Sequence, residues 1–474
     1  LFAGHVHHFW YNRYLDCDCY LLPSTAFVRQ DYAEMFHIGP GPEFGRNDAP
    51  KLGYILVHVY EDRHDFEMVR CYGIERGKEE SYPGDMEKPL APVNCRTNSQ
   101  ALVGFDLRQD WMEQIQIPPS GALDEFGRKW VRNDYTLLAL WEMGVKKLRA
   151  PVSDLMNKDR RKRIEDLNHL GFEFTFYSWG LPDATDLAVL HPYSHLISAW
   201  EFSYRPSQQE ELDTQFLQWL VEKEKTVFYS PWRSKEDILQ SGGTYYHVIN
   251  HGLIASDLKE KNICDKFTFF KRFGVEGLVV RIGLDDDLQA IIENLQYRYQ
   301  ETGSRYSLHL RLSGNNPAEE IDDEVKIGNH IAKAMFLAWH CPDVDITIDT
   351  LADNDRGYFP RKGVIDRLYN PKQGFQIVRN LHAKLSQLTP GAFSSTQEFK
   401  GLFQCLSTTG NRNVKLILPD AGCTKQMWCR SIEDAFASSK YQTITTVVDG
   451  CSHEISNFEK LHLTNIIIQP ILLL

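Results

Sequence analysis

Gly277-Leu-Val-Val-Arg281-Ile-Gly283, followed by Asp286 to Gly303 and then by Ser307-Leu-His309-Leu-Arg311-Leu-Ser313, is the stretch on which the fold turns. Two short runs of β-type residues flank a segment that opens on acids, carries apolar residues at helical spacing and stops on glycine. Strand, helix, strand in that order calls for parallel strands joined by a right-handed crossover, since a tight turn cannot link parallel neighbours.

Working outward, the unit recurs eight times. Strands are expected at Leu102–Arg108, Lys147–Pro151, Phe172–Ser178, Leu196–Ser203, Thr226–Pro231, Gly277–Gly283, Ser307–Ser313 and Val344–Thr350. The helical stretches Asn133–Gly144, Asn157–Gly171 and Pro371–Leu388 carry the stop and start signals of helices. A doubly wound sheet would place a glycine-rich phosphate turn after its first strand, where this chain has Asp106-Leu-Arg108-Gln109. The expectation is an α/β fold, a (β/α)8 TIM barrel over residues 96–389. A C-terminal β-rich domain over 390–474 follows it, with strands at Val414–Leu418, Thr443–Asp449 and Leu463–Leu473.

The chain has 474 residues, 42% hydrophobic and 24% charged, enough for more than one core. Net charge is −12 and the pI about 5.8, with both signs interleaved, which argues against a nucleic-acid or anionic-membrane surface. Ten cysteines without C-x-x-C spacing indicate neither a zinc module nor a disulfide scaffold, and leave the compartment open. No apolar run is long enough to span a bilayer, and Leu1 to Trp10 lacks the pattern of a signal peptide. Leu1-Phe-Ala3 runs straight into a motif without a turn signal, so the chain reads as part of a longer gene.

Residues 1–95 form an N-terminal β-rich fragment in this reading. Its strands are Tyr20–Val28, Gly53–Tyr60 and Asp65–Tyr72, with a turn at Glu61-Asp-Arg-His64. A charged, turn-rich linker between Gly73 and Asn98 closes it. Gly4-His5-Val-His7 resembles the last metal-ligand motif of calcineurin-like metallophosphoesterases. The carboxylate motifs that two-metal chemistry needs do not accompany it, so a leftover subdomain packed on its neighbour is the favoured expectation, with no metal and no cofactor.

Alternation along each strand sorts side chains between the helix layer and the barrel interior. Leu278, Val280 and Ile282 face helices, which leaves Arg281 inside; the same rule turns Asp106, Arg108, Arg149, Tyr177, His309, Arg311 and Asp349 inward. Barrel interiors are normally layers of Val, Ile and Leu, so these charges should meet at the catalytic, C-terminal end. An ion-pair network that merely closes the barrel is the alternative.

Glycoside hydrolysis needs two carboxyl groups, one protonated and one ionised. Glu201, after Leu196-Ile-Ser-Ala-Trp200 at the end of strand four, resembles the acid/base glutamate of many barrel glycosidases, which implies that role for it, with Asp349 or Asp106 as partner and Asp285, Asp353 and Asp355 as outside candidates. Arg108, Arg149, Arg281 and Arg311 are more guanidiniums than a neutral sugar requires and match a carboxylate bidentately. With His309, Tyr177, Trp179 and Trp232 they are expected to bind an anionic sugar, in a small molecule or an oligosaccharide.

Trp200-Glu201-Phe202, the segment Asp349 to Pro371 with its long loop and Tyr369-Asn-Pro371, and the β-rich tail together resemble TIM-barrel glycoside hydrolases over residues 100–474. The arginine-rich mouth is closest in character to β-glucuronidases, which would imply hydrolysis of a terminal glucuronic acid without a cofactor. The family's Asn before the acid/base Glu is replaced by Trp200, and strand seven ends in Ser313-Gly-Asn-Asn316 where a nucleophilic glutamate would stand. A metal-dependent sugar isomerase or epimerase and a non-catalytic carbohydrate-binding barrel are the alternatives.

Overall fold

The computed structural model describes residues 1–29, 48–62, 64–70, 102–107, 111–117, 129–204, 213–232, 251–254, 267–314, 321–355, 360–399, 402–409, 412–420, 422–437, 441–450, 452–455 and 468–474, together with 32, 35, 235, 239 and 257. Arg108 and the linker expected between Gly73 and Asn98 lie outside the described residues.

Eight parallel strands close into a barrel. They are β1 (Gly104–Asp106), β2 (Lys147–Pro151), β3 (Glu173–Trp179), β4 (Ala199–Tyr204), β5 (Thr226–Pro231), β6 (Gly277–Ile282), β7 (Arg305–Arg311) and β8 (Val344–Asp349). Neighbours in sequence are neighbours in the sheet, and the ring shuts where Thr347 and Ile348 pair with Gly104 and Phe105. Gly104 is required at this seam, because a Cβ there would lie 2.7 Å from the Lys147 carbonyl oxygen. The (β/α)8 barrel expected from the sequence is therefore the fold.

The helices between strands include α1 (Tyr135–Glu142), α2 (Val152–Met156), α3 (Lys158–His169), α4 (Ala184–Leu190), α5 (Gln215–Glu222), α6 (Leu288–Thr302), α7 (Glu324–His340) and α8 (Gln373–Leu385). Their ends follow local chemistry. Asn157 caps α3 by accepting from the Asp159 and Arg160 amides, Asp287 caps α6 through the Ala290 amide, and Gly303 ends α6 at φ 64°. Phe105, Leu148, Phe174, Phe176, Trp200, Phe202, Val280, Leu308, Leu310 and Ile348 are buried between strands and helices. That is the outward apolar set the alternation requires.

Two details differ from expectation around the barrel. Between β1 and α1 runs an antiparallel ribbon, Gln114–Ile117 with Lys129–Arg132. Strand β4 begins at Ala199 and not at Leu196, because His191–Leu196 is a 3-10 turn. Glu201 thus sits in mid-strand.

The C-terminal residues form a six-stranded sheet from Ala392–Phe399, Leu402–Thr409, Arg412–Pro419, Thr443–Thr446, Ser452–Glu454 and Ile471–Leu473. The first two strands, the strand Ser452–Glu454 and the helix α9 (Lys425–Ala437) are not among the expected elements; most of Leu463–Leu473 lies outside the described residues. Asn380 of α8 reaches this layer by donating to the Val447 carbonyl at 2.8 Å.

At the other end, Trp10–Tyr14 and Cys17–Leu21 form a hairpin, and Gly53–Val59 pairs with His64–Arg70, as expected for the second and third N-terminal runs. The run expected as Tyr20–Val28 ends at Leu21 and begins earlier, at Cys17. This segment is tied to the barrel's first helix and its approach. Asp134 accepts from the Tyr11 amide at 3.0 Å and pairs with Arg132 and Arg163, and Arg70 pairs with Glu142 at 2.6 Å. His5 and His7 sit on loops at positive φ, and His7 packs edge-on to Phe27. Among the described residues no three His, Cys, Asp or Glu side chains gather to hold a metal ion, and no helix is long and apolar enough to cross a membrane.

Candidate active site

The inward positions of the strands carry charge in two layers. At the N-terminal end, Lys147 meets Asp345 at 3.2 Å, and Arg305 lies 3.5 Å from Asp345 and 3.8 Å from Glu276. These side chains are about a third to a half exposed, so water screens them and the pairs contribute little.

Halfway up, the barrel is crossed by a buried network. Arg149 on β2 donates through Nε to Glu201 Oε2 at 2.5 Å and through Nη1 to Asp106 Oδ2 at 2.8 Å, while its guanidinium lies 3.8 Å from the Tyr177 ring centre. The second oxygen of Glu201 accepts from Ser307 Oγ at 2.9 Å and contacts His309 Nε2 at 3.0 Å. Strands β1, β2, β4 and β7 are thereby joined through side chains that are 1–4% exposed.

Burial opposes the charge on Glu201. The Arg149 guanidinium, then His309 and the hydrogen bonds from both, outweigh that cost and hold the carboxyl well below its usual 4.5. Glu201 is accordingly an ionised acceptor, and His309 Nε2–H is the donor in their contact.

Toward the C-terminal end, Asp349 at the tip of β8 accepts from Arg361 Nη1 at 3.1 Å. Arg281 and Arg311 occupy inward positions on β6 and β7; the first is level with His309 and the second with Asp349. Above them stands an aromatic corner. Trp179, half exposed, lies 5.9 Å from Trp232 and 5.5 Å from His251, edge-on to both.

Glu201, Asp106, Arg149, Tyr177 and His309 are brought into one cluster. Asp349 and Arg311 lie side by side on the sheet at the mouth, and Trp179 and Trp232 pack together at the rim. The fork of Arg149, expected to clamp the sugar carboxylate, is engaged by two interior carboxylates as their shared counter-ion. The acid role expected of Glu201 conflicts with the state in which these partners hold it. Asp285 bonds Lys326 on the surface, and Asp353 is held by the Gly363 amide and Lys372.

Sequence reading missed Ser307, Arg361, Ser230 and His251. Ser307 was marked as the start of a strand, and its inward position two residues before His309 follows from the same alternation. Arg361 and His251 lie on connections, where no period signals direction.

No family model matches the chain, and no curated protein matches it. Similar solved structures include a family 39 glycoside hydrolase from the gut symbiont Bacteroides cellulosilyticus, 9% identical over 76% of this chain and 86% of that one, TM-score 0.46. A family 30 endoxylanase from Clostridium papyrosolvens is 8% identical over 73% and 88%, TM-score 0.36. A calcium-binding mutant of β-glucuronidase 2 from Bacteroides uniformis is 8% identical over 69% and 44%, TM-score 0.38.

Proposed function

We propose that this chain is a glycoside hydrolase acting on glycosides of an acidic sugar, most simply a β-glucuronide. The observation that carries the reading is Glu201: a carboxylate kept ionised and fixed in orientation by Arg149, Ser307 and His309 inside a barrel whose chemistry belongs at its C-terminal end. An ionised, immobilised carboxylate suits the base or nucleophile of a glycosidase and not its proton donor.

In this reading Glu201 takes the ionised role and Asp349, whose carboxyl accepts from Arg361, is the second carboxylate, which takes up a proton when the substrate binds and gives it to the leaving oxygen. Asp106 shares the counter-ion of Glu201 and acts through it as a positioning residue. Arg281 and Arg311, with Arg149 withdrawn into the network, supply the clamp for the sugar carboxylate. Trp179 and Trp232 offer the apolar face on which the sugar stacks.

Hydrolysis of aryl β-glucuronide against aryl β-glucoside tests the substrate, with the glucuronide cleaved much faster. Glu201→Gln abolishes turnover on every substrate. Asp349→Asn slows substrates with poor leaving groups strongly while sparing dinitrophenyl glycosides, whose departure needs no proton. Equal rates on both sugars would remove the clamp; an active Glu201→Gln enzyme would remove the catalytic role of Glu201.

One observation favours a second reading, a sugar-binding barrel without turnover: both oxygens of Glu201 are engaged by interior donors and the side chain is 1% exposed. Saturable binding of glucuronate with no hydrolysis would select it.

A further inference from the structure

Strands β5 and β6 pair at Phe228–Gly277 and Tyr229–Leu278, and beyond that point a third segment lies between them. It is His251-Gly252-Leu253. The Gly252 amide donates to the Pro231 carbonyl at 2.9 Å, the Leu253 amide to Val279 at 2.9 Å, and the Arg281 amide to Leu253 at 2.7 Å. Bridges pair Trp232 with His251 and Leu253 with Val280. The three residues act as an extra rung that satisfies strand-end backbone groups at the catalytic end of the barrel.

Close fit fixes the middle residue. Gly252 has φ +83°, and a Cβ on it would sit 3.2 Å from Val279 Cγ1 and 3.3 Å from the Val279 carbonyl oxygen. The rung therefore holds His251 in a defined place. Its Nδ1 is 2.7 Å from Ser230 Oγ, and both side chains are buried. The imidazole meets Trp179 edge-on at 5.5 Å on one side and His309 edge-on at 5.7 Å on the other. It thus spans from the half-exposed rim tryptophan to the histidine that bonds Glu201.

Packing alone does not call for this choice. An apolar side chain would fill the space between a tryptophan and a histidine without the desolvation cost of a hydroxyl–imidazole pair, and barrel interiors are normally filled that way.

We propose that His251 is a sugar-contacting residue of the mouth, its ring orientation set by Ser230. It touches a sugar stacked on Trp179 and orients the glycosidic bond toward Glu201. The inference rests on the carbohydrate reading above. Calorimetric binding of glucuronate, methyl β-glucoside and xylose to the full chain tests it, in wild type, His251→Ala, His251→Phe and Ser230→Ala. His251→Phe keeps the aromatic edges and lacks only the ring nitrogens, so it answers for His251→Ala if the latter does not fold.

Affinity for the bound sugar falls at least about tenfold in both His251 variants, roughly 1.4 kcal/mol. In Ser230→Ala it falls about threefold or more. Affinity within about twofold of wild type in a folded His251 variant overturns the inference while the functional reading stands. Binding of a neutral sugar but not of glucuronate, lost on His251 substitution, overturns the acidic-sugar reading and leaves the inference standing. No sugar bound by wild type overturns both.

Discussion

Replacing Arg149 by methionine removes the cation that two buried carboxylates share. Asp106 and Glu201 are each 1% exposed, and both accept from this guanidinium. Methionine keeps most of the volume, so the perturbation is electrostatic more than steric. Removing one partner of a buried ion pair costs about 3–5 kcal/mol, and one cation serving two anions places the loss at the upper end.

The pH dependence carries the sign. In the wild type the Glu201 carboxyl lies well below 4.5, so its contribution is present above that pH and fades as pH falls toward the lower, folded value. Without Arg149, burial is opposed by His309 and Ser307 alone, and the carboxyl moves up. The wild-type carboxyl ionises in the folded state at a lower pH than the variant's, so the deficit of Arg149→Met is least in acid and grows as pH rises through the range between the two. Urea unfolding followed by intrinsic fluorescence, compared at about pH 3.5 and about pH 7, on either side of the usual carboxyl range, measures both quantities. A loss under about 1 kcal/mol, or a deficit that does not change with pH, refutes the network as described.

Two other buried groups give independent outcomes. His382 donates from Nδ1 to the Met143 carbonyl at 2.7 Å and accepts the Leu102 amide at Nε2 at 2.8 Å; burial pushes its pKa down to about 4. Its folded value lies below its usual 6.5, so the unfolded chain binds the proton more readily. Stability is therefore full above about pH 6.5 and declines as pH falls toward 4, by roughly 3 kcal/mol. His382→Gln, which offers a donor and an acceptor but does not titrate, flattens that limb in a thermal scan across pH; an unchanged slope assigns the acid sensitivity elsewhere. Asp134 holds the Tyr11 amide, Arg132 and Arg163 together. Asp134→Asn leaves the buried Arg163 and the part-buried Arg132 short of a charge and is expected to cost about 3 kcal/mol. Faster hydrogen exchange confined to Trp10–Leu21 would mark release of the N-terminal hairpin, and unchanged protection there would show that the network does not hold it.

The barrel was legible because its code is local and repeated. Apolar residues at every second position mark β6 and β7, and the Asp287 cap and Gly303 stop bound the helix between them. Elements without that code were missed. The strands Ala392–Phe399 and Leu402–Thr409 interleave serine, threonine and glutamine with apolar residues, and Lys425–Ala437 lies between Gly422 and the serines at 438 and 439, whose composition reads as loop. The start of β4 was misplaced for a related reason. Leu196 and Ile197 are as apolar as a strand would have them, yet His191-Pro-Tyr-Ser-His-Leu196 satisfies its backbone in a 3-10 turn first.

The direction of the site residues and their partners are separate questions, and a sequence answers the first alone. Period-two alternation turns Arg149, Glu201, His309 and Asp349 inward whatever the barrel's size. Which of them meet depends on the shear of the closed sheet, fixed by pairs such as Thr347–Gly104 and Asp106–Arg149 that no local pattern encodes. Once that register places Arg149 against both Glu201 and Asp106, the chemistry of each changes. A glutamate expected as a proton donor becomes a fixed anion, and an arginine expected at the substrate becomes its counter-ion. In the function proposed here the clamp then falls to Arg281 and Arg311 on β6 and β7, and the proton to the end of β8. Any assignment of an acid, a base and a clamp in a charged barrel therefore needs the register before it needs the motif.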